Sequence, residues 1–219
     1  MIPQLYAHPF SSYSQKALIA LYENNISFEF RILEPGSASA MDEWAALWPL
    51  KRFPLLVDRG RAIPEASIII EHLALHYPGP VRLVPEDPRA ALEVRMMGRF
   101  FDNYIMTPTQ KIVLDTIRPT EARDPQGVTE ARSMLETAYG WMDDAMAGRT
   151  WAAGDAFSLA DCAAAPALFY ADWTHPISST LRHVRAYRRR LLERPSFARA
   201  VNEARPYRSL FPLGAPDRD

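Results

Sequence analysis

Two stretches carry the side chains that could do chemistry. In the first, Tyr6-Ala-His8-Pro9-Phe10-Ser11-Ser12-Tyr13-Ser14-Gln15-Lys16, three serine hydroxyls and a phenol fill positions 11 to 14, where a strand candidate gives way to a helix candidate. A hydroxyl at a helix start can donate to an anion, and the unpaired N–H groups of the first turn add partial positive charge. Such a hydroxyl stabilises an anion rather than acting as a base, because its own pKa is far too high. The second stretch, residues 52 to 73, reads as a hairpin that delivers a carboxylate to a helix N-terminus. Phe53-Pro54 enters the apolar strand Leu55, Leu56, Val57. Asp58-Arg59-Gly60 is the turn, and the return strand ends near Pro64. Glu65 and Ala66 open a helix with Ile69, Ile70 and Leu73 on its core face. Its first-turn N–H groups suit a ligand carboxylate and Glu65 suits a ligand ammonium, so the site fits a small charged peptide.

Holding these residues requires a mixed α/β unit. Gln4 to Tyr6 is a short strand candidate, Ser14 to Asn24 carries Ala17, Leu18 and Leu21 at helical spacing, and Phe28 to Leu33 is a second strand. A polar turn at Glu34-Pro-Gly-Ser leads to a helix near Met41 to Leu47, followed by the hairpin and its helix. This order of elements is that of a thioredoxin-like unit. Tyr77-Pro-Gly-Pro80 and Pro85-Glu-Asp-Pro88 punctuate the chain, and strand signals vanish beyond them. The expected division is therefore a domain over 1–79, a linker over 80–88 and an all-helical domain over 89–219.

In the second part, residues 89 to 107 read as a long helix that kinks or breaks at Pro108. Thr129 to Met146 is a bundle helix, with Ala131, Leu135, Ala138, Met142 and Ala145 on one face and Gly148 as its stop. Phe157-Ser-Leu-Ala-Asp161-Cys162 is a capping box: Ser158 caps the helix and the Asp161 carboxylate reaches back to the cap N–H. The role of this box is folding.

Composition narrows the function classes. The chain has 219 residues, 48% of them hydrophobic, and a formal net charge of −1, so no global field draws it to nucleic acid or to an anionic membrane. The arginines crowded into the C-terminal region, Arg182 through Arg208, read as a solvated helical face. No apolar run is long enough to span a membrane and the N-terminus shows no targeting pattern, so the expected location is cytoplasmic. Cys162 is the only cysteine, which excludes an internal disulfide and a cysteine-based metal cluster, and no metal is expected.

Phe53-Pro54 followed by Glu65-Ala66 and Ile69 resembles the glutathione-binding half of the cytosolic glutathione transferase superfamily. The Ser158–Asp161 box, Trp151-Ala-Ala-Gly154 before it and Glu193-Arg-Pro-Ser-Phe197 near the end resemble that family's helical half, so nearly the whole chain is covered. The resemblance implies the glutathione transferase fold, a thioredoxin-like domain followed by an all-α bundle. It also implies a soluble homodimer that binds glutathione as co-substrate and joins its thiolate to small hydrophobic electrophiles in detoxification, with a possible glutathione-dependent peroxidase activity.

Aligned by Lys16, Ser11 falls where serine-type members, among them bacterial ones, hold the hydroxyl that donates to the glutathione sulfur. Ser12, Tyr13 and Tyr6 stay open as alternatives, and His8 reads as structural. Arg52, Phe53 and Pro54 would face the cysteinyl part, with Lys51 or Arg52 pairing the glycyl carboxylate. Glu65 and Ala66 would hold the γ-glutamyl end, where the family has Ser instead of Ala66; Ser67 is the nearest hydroxyl. Tyr104 and Trp173 are the expected walls of the electrophile pocket. The alternative reading is a non-catalytic member of this fold that binds a ligand or a partner.

Overall fold

The computed structural model describes residues 2–219. The sheet-bearing half runs β1 (Gln4–Ala7), α1 (Ser12–Glu23), β2 (Glu29–Ile32), α2 (Ala38–Leu47), β3 (Leu55–Asp58), β4 (Arg61–Pro64) and α3 (Ala66–His76). Strand order is β2-β1-β3-β4, with β1 and β2 parallel and the other two pairings antiparallel. The two-residue period of β1 sorts its side chains. Leu5 and Ala7 join Leu56, Ile63 and the large core beneath the sheet, whereas Tyr6 joins Leu55 and Trp44 under α2. Tyr6 is thus held by Glu43, to which its hydroxyl donates at 2.9 Å.

The helical half comprises α4 (Pro88–Phe100), α5 (Thr107–Thr116), α6 (Pro125–Ala145), α7 (Leu159–Thr174), α8 (Arg182–Leu192) and α9 (Pro195–Ala204), then a 3₁₀ segment at Arg205–Leu210. Its centre is α7, every residue of which is buried. The alanines along it let α1, α4 and α5 approach closely, and α1 thereby bridges the sheet and the bundle. The capping box expected at its start is present. Asp161 accepts from the backbone N–H of Ser158 at 2.9 Å and of Ala152 at 2.8 Å, and from the hydroxyls of Ser158 at 3.0 Å and Tyr187 at 2.5 Å.

Instead of breaking at Pro108, the long helix inserts a π-helical turn at Phe101–Met106 and continues as α5. The Thr107 N–H bonds back to Asp102 O across the wide turn, and Pro108 then sits in the first turn of α5, where a missing N–H does least harm. The Thr109 hydroxyl donates to Ile105 O at 2.7 Å, satisfying one carbonyl beside the proline. Among the described residues no helix is long and apolar enough to cross a membrane.

Candidate functional site

A cleft of about 710 Å³ opens between the two halves. Its polar side is built by the N-termini of α1 and α3 and the loop between α2 and β3, and its apolar side by α5, Tyr170 and the C-terminal segment Leu210-Phe211-Pro212.

Ser11 is the N-cap of α1. Its backbone is extended (φ −85°, ψ 130°) and its Oγ accepts from the Ser14 N–H at 3.4 Å. The cap uses a lone pair only, so the hydroxyl proton stays free to donate into the cleft. Ser12 and Tyr13 follow in the first turn and also line it. Burial, helped by the carboxylates of Asp102 and Glu65, pushes the Tyr13 phenol up to about 12, so it stays a neutral donor. The loop carrying Ser11 is clamped from beneath. Gln15 Nε2 donates to Pro9 O at 3.0 Å and to the Tyr170 hydroxyl at 3.2 Å, and that hydroxyl donates to Phe10 O at 2.8 Å. His8 faces away, its Nδ1 accepting from the Phe10 N–H at 3.2 Å and its ring lying 4.6 Å from that of Tyr207.

Across the cleft, Lys51 takes φ +50° and the Phe53–Pro54 peptide is cis. Trp44 Nε1 donates to Arg52 O at 3.2 Å and ties the loop to α2. The Lys51 and Arg52 side chains are exposed at the rim. Glu65 is the N-cap of α3 with φ +71° and ψ 118°, a conformation that costs a non-glycine residue about 1–3 kcal/mol and clusters at functional sites. Its side chain makes no cap hydrogen bond. The helix therefore begins at Ala66 with its positive end facing the cleft and Glu65 at its edge.

Three expected residues stand elsewhere. Ser67 does not line the cleft, because its hydroxyl lies 2.7 Å from the Lys16 ammonium and 3.5 Å from Asp102 Oδ2. Trp173 stands behind the wall, packed on Phe169, Tyr170 and Phe211 with ring centroids 4.5, 5.7 and 5.4 Å away; Tyr170 and Phe211 are the aromatic surface the cleft meets. Tyr104 lies within the π-helical turn and faces away from the cleft. Asp102 and Met106 point into the cleft, and Tyr104 between them lines a separate groove with Met96, Met134 and Trp141.

Sequence reasoning passed over two features. Lys16 is 1% exposed, and its ammonium lies 2.9 and 2.7 Å from the two oxygens of Asp102. Burial pulls the ammonium below its usual range and Asp102 opposes that pull. The signal was a lysine running straight into Ala17-Leu-Ile-Ala-Leu21, a position α1 cannot expose. The second feature is the Leu210-Phe211-Pro212 wall, which has no periodicity to betray it. Among the described residues no three His, Cys, Asp or Glu side chains group in a way that could hold a metal ion.

The arrangement can bind a zwitterion and an anion side by side: a carboxylate at the start of α3, an ammonium between Glu65 and Asp102, and an anionic atom at the start of α1. Comparisons with known proteins match both halves of the chain. Residues 5–81 match the family model of the glutathione S-transferase N-terminal domain, and residues 125–190 match that of the C-terminal domain. A stringent starvation protein A homolog of Coxiella burnetii is 24% identical over 205 residues, covering 93% of each chain. A probable maleylacetoacetate isomerase of Caenorhabditis elegans is 26% identical over 209 residues, covering 93% of this chain and 95% of the other. A glutathione S-transferase of Methylobacterium radiotolerans, solved in complex with glutathione sulfonate, superposes with a TM-score of 0.76 at 29% identity, covering 91% and 94% of the two chains.

Proposed function

Because the chain belongs to the cytosolic glutathione transferase superfamily, we propose that it binds glutathione in this cleft as a serine-type enzyme and joins the glutathione thiolate to small hydrophobic electrophiles. The observation that carries the reading is the convergence of the Ser11 cap, the Phe53–Pro54 edge and the start of α3 on one cleft. The γ-glutamyl carboxylate meets the Ala66 N–H and the ammonium meets Glu65 and Asp102. The cysteinyl backbone lies along Phe53, the glycyl carboxylate reaches Lys51 or Arg52, and the sulfur faces Ser11. An unperturbed thiol has a pKa near 8.5, and lowering it by two units takes about 2.7 kcal/mol. One charge-assisted hydrogen bond supplies about 1.5–3 kcal/mol and a helix N-terminus about 0.3–2 more, so one hydroxyl there is enough. The electrophile then lies against Met106, Val113, Tyr170 and Phe211. Cys162 takes no part, because complete burial raises its thiol pKa well above the usual range and bars it from a mixed disulfide.

The domain division at 1–79, 80–88 and 89–219 belongs to the same proposal, as do a cytoplasmic location and a role in detoxification. So does a homodimer whose second copy covers the groove lined by Met96, Tyr104, Met134 and Trp141. Sedimentation of the purified chain checks the last point, a monomer at micromolar concentration refuting it. The test of the function is a steady-state assay with glutathione and an aryl halide, run beside calorimetric titration of glutathione. Turnover that falls in Ser11→Ala supports it. Binding without turnover favours the alternative, a non-catalytic glutathione-binding protein, which the missing hydroxyl at Ala66 supports.

A further inference from the structure

A second cavity, of about 500 Å³, lies between the end of α7, the face of α8 and the C-terminal residues, and none of its lining residues lines the cleft. Its charge comes from Arg185, Arg188, Arg189 and Arg218, against the carboxylates of Asp172 and Asp219. Asp172 is shared within the cavity and Asp219 is held from outside it. Asp172 accepts from the Ile177 N–H at 2.9 Å and from Arg218. Asp219 is bound by Arg205 and Arg208.

Arg188 is left without a full partner. Its side chain is 12% exposed, and its Nε and Nη2 atoms are buried with no hydrogen-bond acceptor among the described residues. Nη2 lies 3.3 Å from Asp172 Oδ2, near enough for charge attraction but not aligned as a donor. A buried charged donor left unmade is costly, and folded proteins pair nearly all of them. Burial lowers the Arg188 pKa and Asp172 opposes that pull, while four arginines of the lining face two carboxylates. Arg185 donates to Ile177 O at 3.1 Å, and Arg189 stands exposed at the mouth with no ion-pair partner among the described residues. Guanidinium forks converging on a polar hollow match the oxygens of a tetrahedral oxyanion. This cavity falls within the roughly 300–1,000 Å³ of small-molecule sites.

We propose that this cavity binds a phosphate group, free or carried on a small molecule, with Arg188 at its floor and Arg185 and Arg189 at its mouth. Calorimetric titration of the full chain with inorganic phosphate, pyrophosphate and adenosine monophosphate, at ionic strength matched with sodium chloride, tests this. Saturable one-to-one binding is expected, weakened about tenfold or more in Arg188→Gln and in Arg189→Gln, as for the loss of one charge-assisted hydrogen bond. Arg52→Gln, on the rim of the cleft, leaves it unchanged. Arg189 is exposed, so its variant keeps the native melting temperature and stays informative if Arg188→Gln fails to fold. Equal affinity for phosphate and the nucleotide marks a free-ion site, and a tighter nucleotide marks a phosphate ester. Heat no greater than that of chloride, or binding lost in Arg52→Gln and kept in Arg189→Gln, overturns the proposal.

Discussion

Two helices of this molecule begin on a serine in extended backbone, and they use it in opposite ways. At the start of α7, Ser158 is 3% exposed, its hydroxyl proton goes to Asp161, and the Asp161 carboxylate closes the box over the helix end. At the start of α1, Ser11 is half-buried, the first turn holds no acidic residue, and the hydroxyl proton has no such acceptor. The same residue at the same position thus becomes a sealed structural joint in one case and an anion receptor in the other. What separates them is whether the chain supplies its own carboxylate three residues on.

Removing that carboxylate has the largest expected effect. Asp161→Ala leaves four buried donors unmatched and should cost roughly 3 kcal/mol or more, lowering the melting temperature by about 6–12 °C. Calorimetry of glutathione binding by the folded fraction should be unchanged. A melting temperature within 2 °C of wild type, on the order of 1 kcal/mol or less, would erase the distinction between the two caps.

Next comes Ser11→Ala, with a loss of kcat/KM of about 10- to 100-fold and a cap loss of only about 1 kcal/mol. Without the donor the sulfur's pKa rises toward 8.5, so the deficit is greatest at pH 6.5 and shrinks as pH climbs past that value. A deficit equal at every pH would remove Ser11 from the thiolate. Ala66→Ser should tighten glutathione binding several-fold, about 1 kcal/mol, by adding a hydroxyl beside the N–H at the start of α3. Unchanged or weaker binding would show that the γ-glutamyl end does not lie there. The smallest expected effect is that of Tyr13→Phe, which leaves the pH–rate profile between 6 and 10 in place, because a phenol held up near 12 does not titrate there. A displaced profile would shift the anion-stabilising role from the cap to the next residues of the turn.

The fold was legible wherever the pattern was local. The two-residue alternation around Tyr6, the turn at Asp58-Arg-Gly60 and the Ser158–Asp161 box each state their structure within a few positions, and the architecture follows from their order. The residues expected at the polar half do line one cleft, because proline, glutamate and serine mark the backbone devices that shape its wall. Ser67, Tyr104 and Trp173 stand away from the cleft because which way each one faces depends on contacts and backbone geometry that its local pattern does not state. Lys16 captures the Ser67 hydroxyl, Tyr104 sits about half a turn from Asp102 and Met106 and so faces the other groove, and Phe211, more than a hundred residues after Tyr104, covers Trp173.

The wide turn at Phe101–Met106 also fixes how the chain can change length. Deleting one residue within it would restore ordinary helical pitch while the helices before and after keep nearly their present faces, because the wide turn already spreads one rotation over an extra residue. Val94 and Met97 would stay in the interior, and the change would fall inside the turn, on the Asp102 carboxylate that the buried ammonium holds at 2.7 Å. The turn is thus a place where the chain can shorten by one position without unseating its neighbours, and what such a shortening puts at stake is the pairing with a lysine 86 positions upstream.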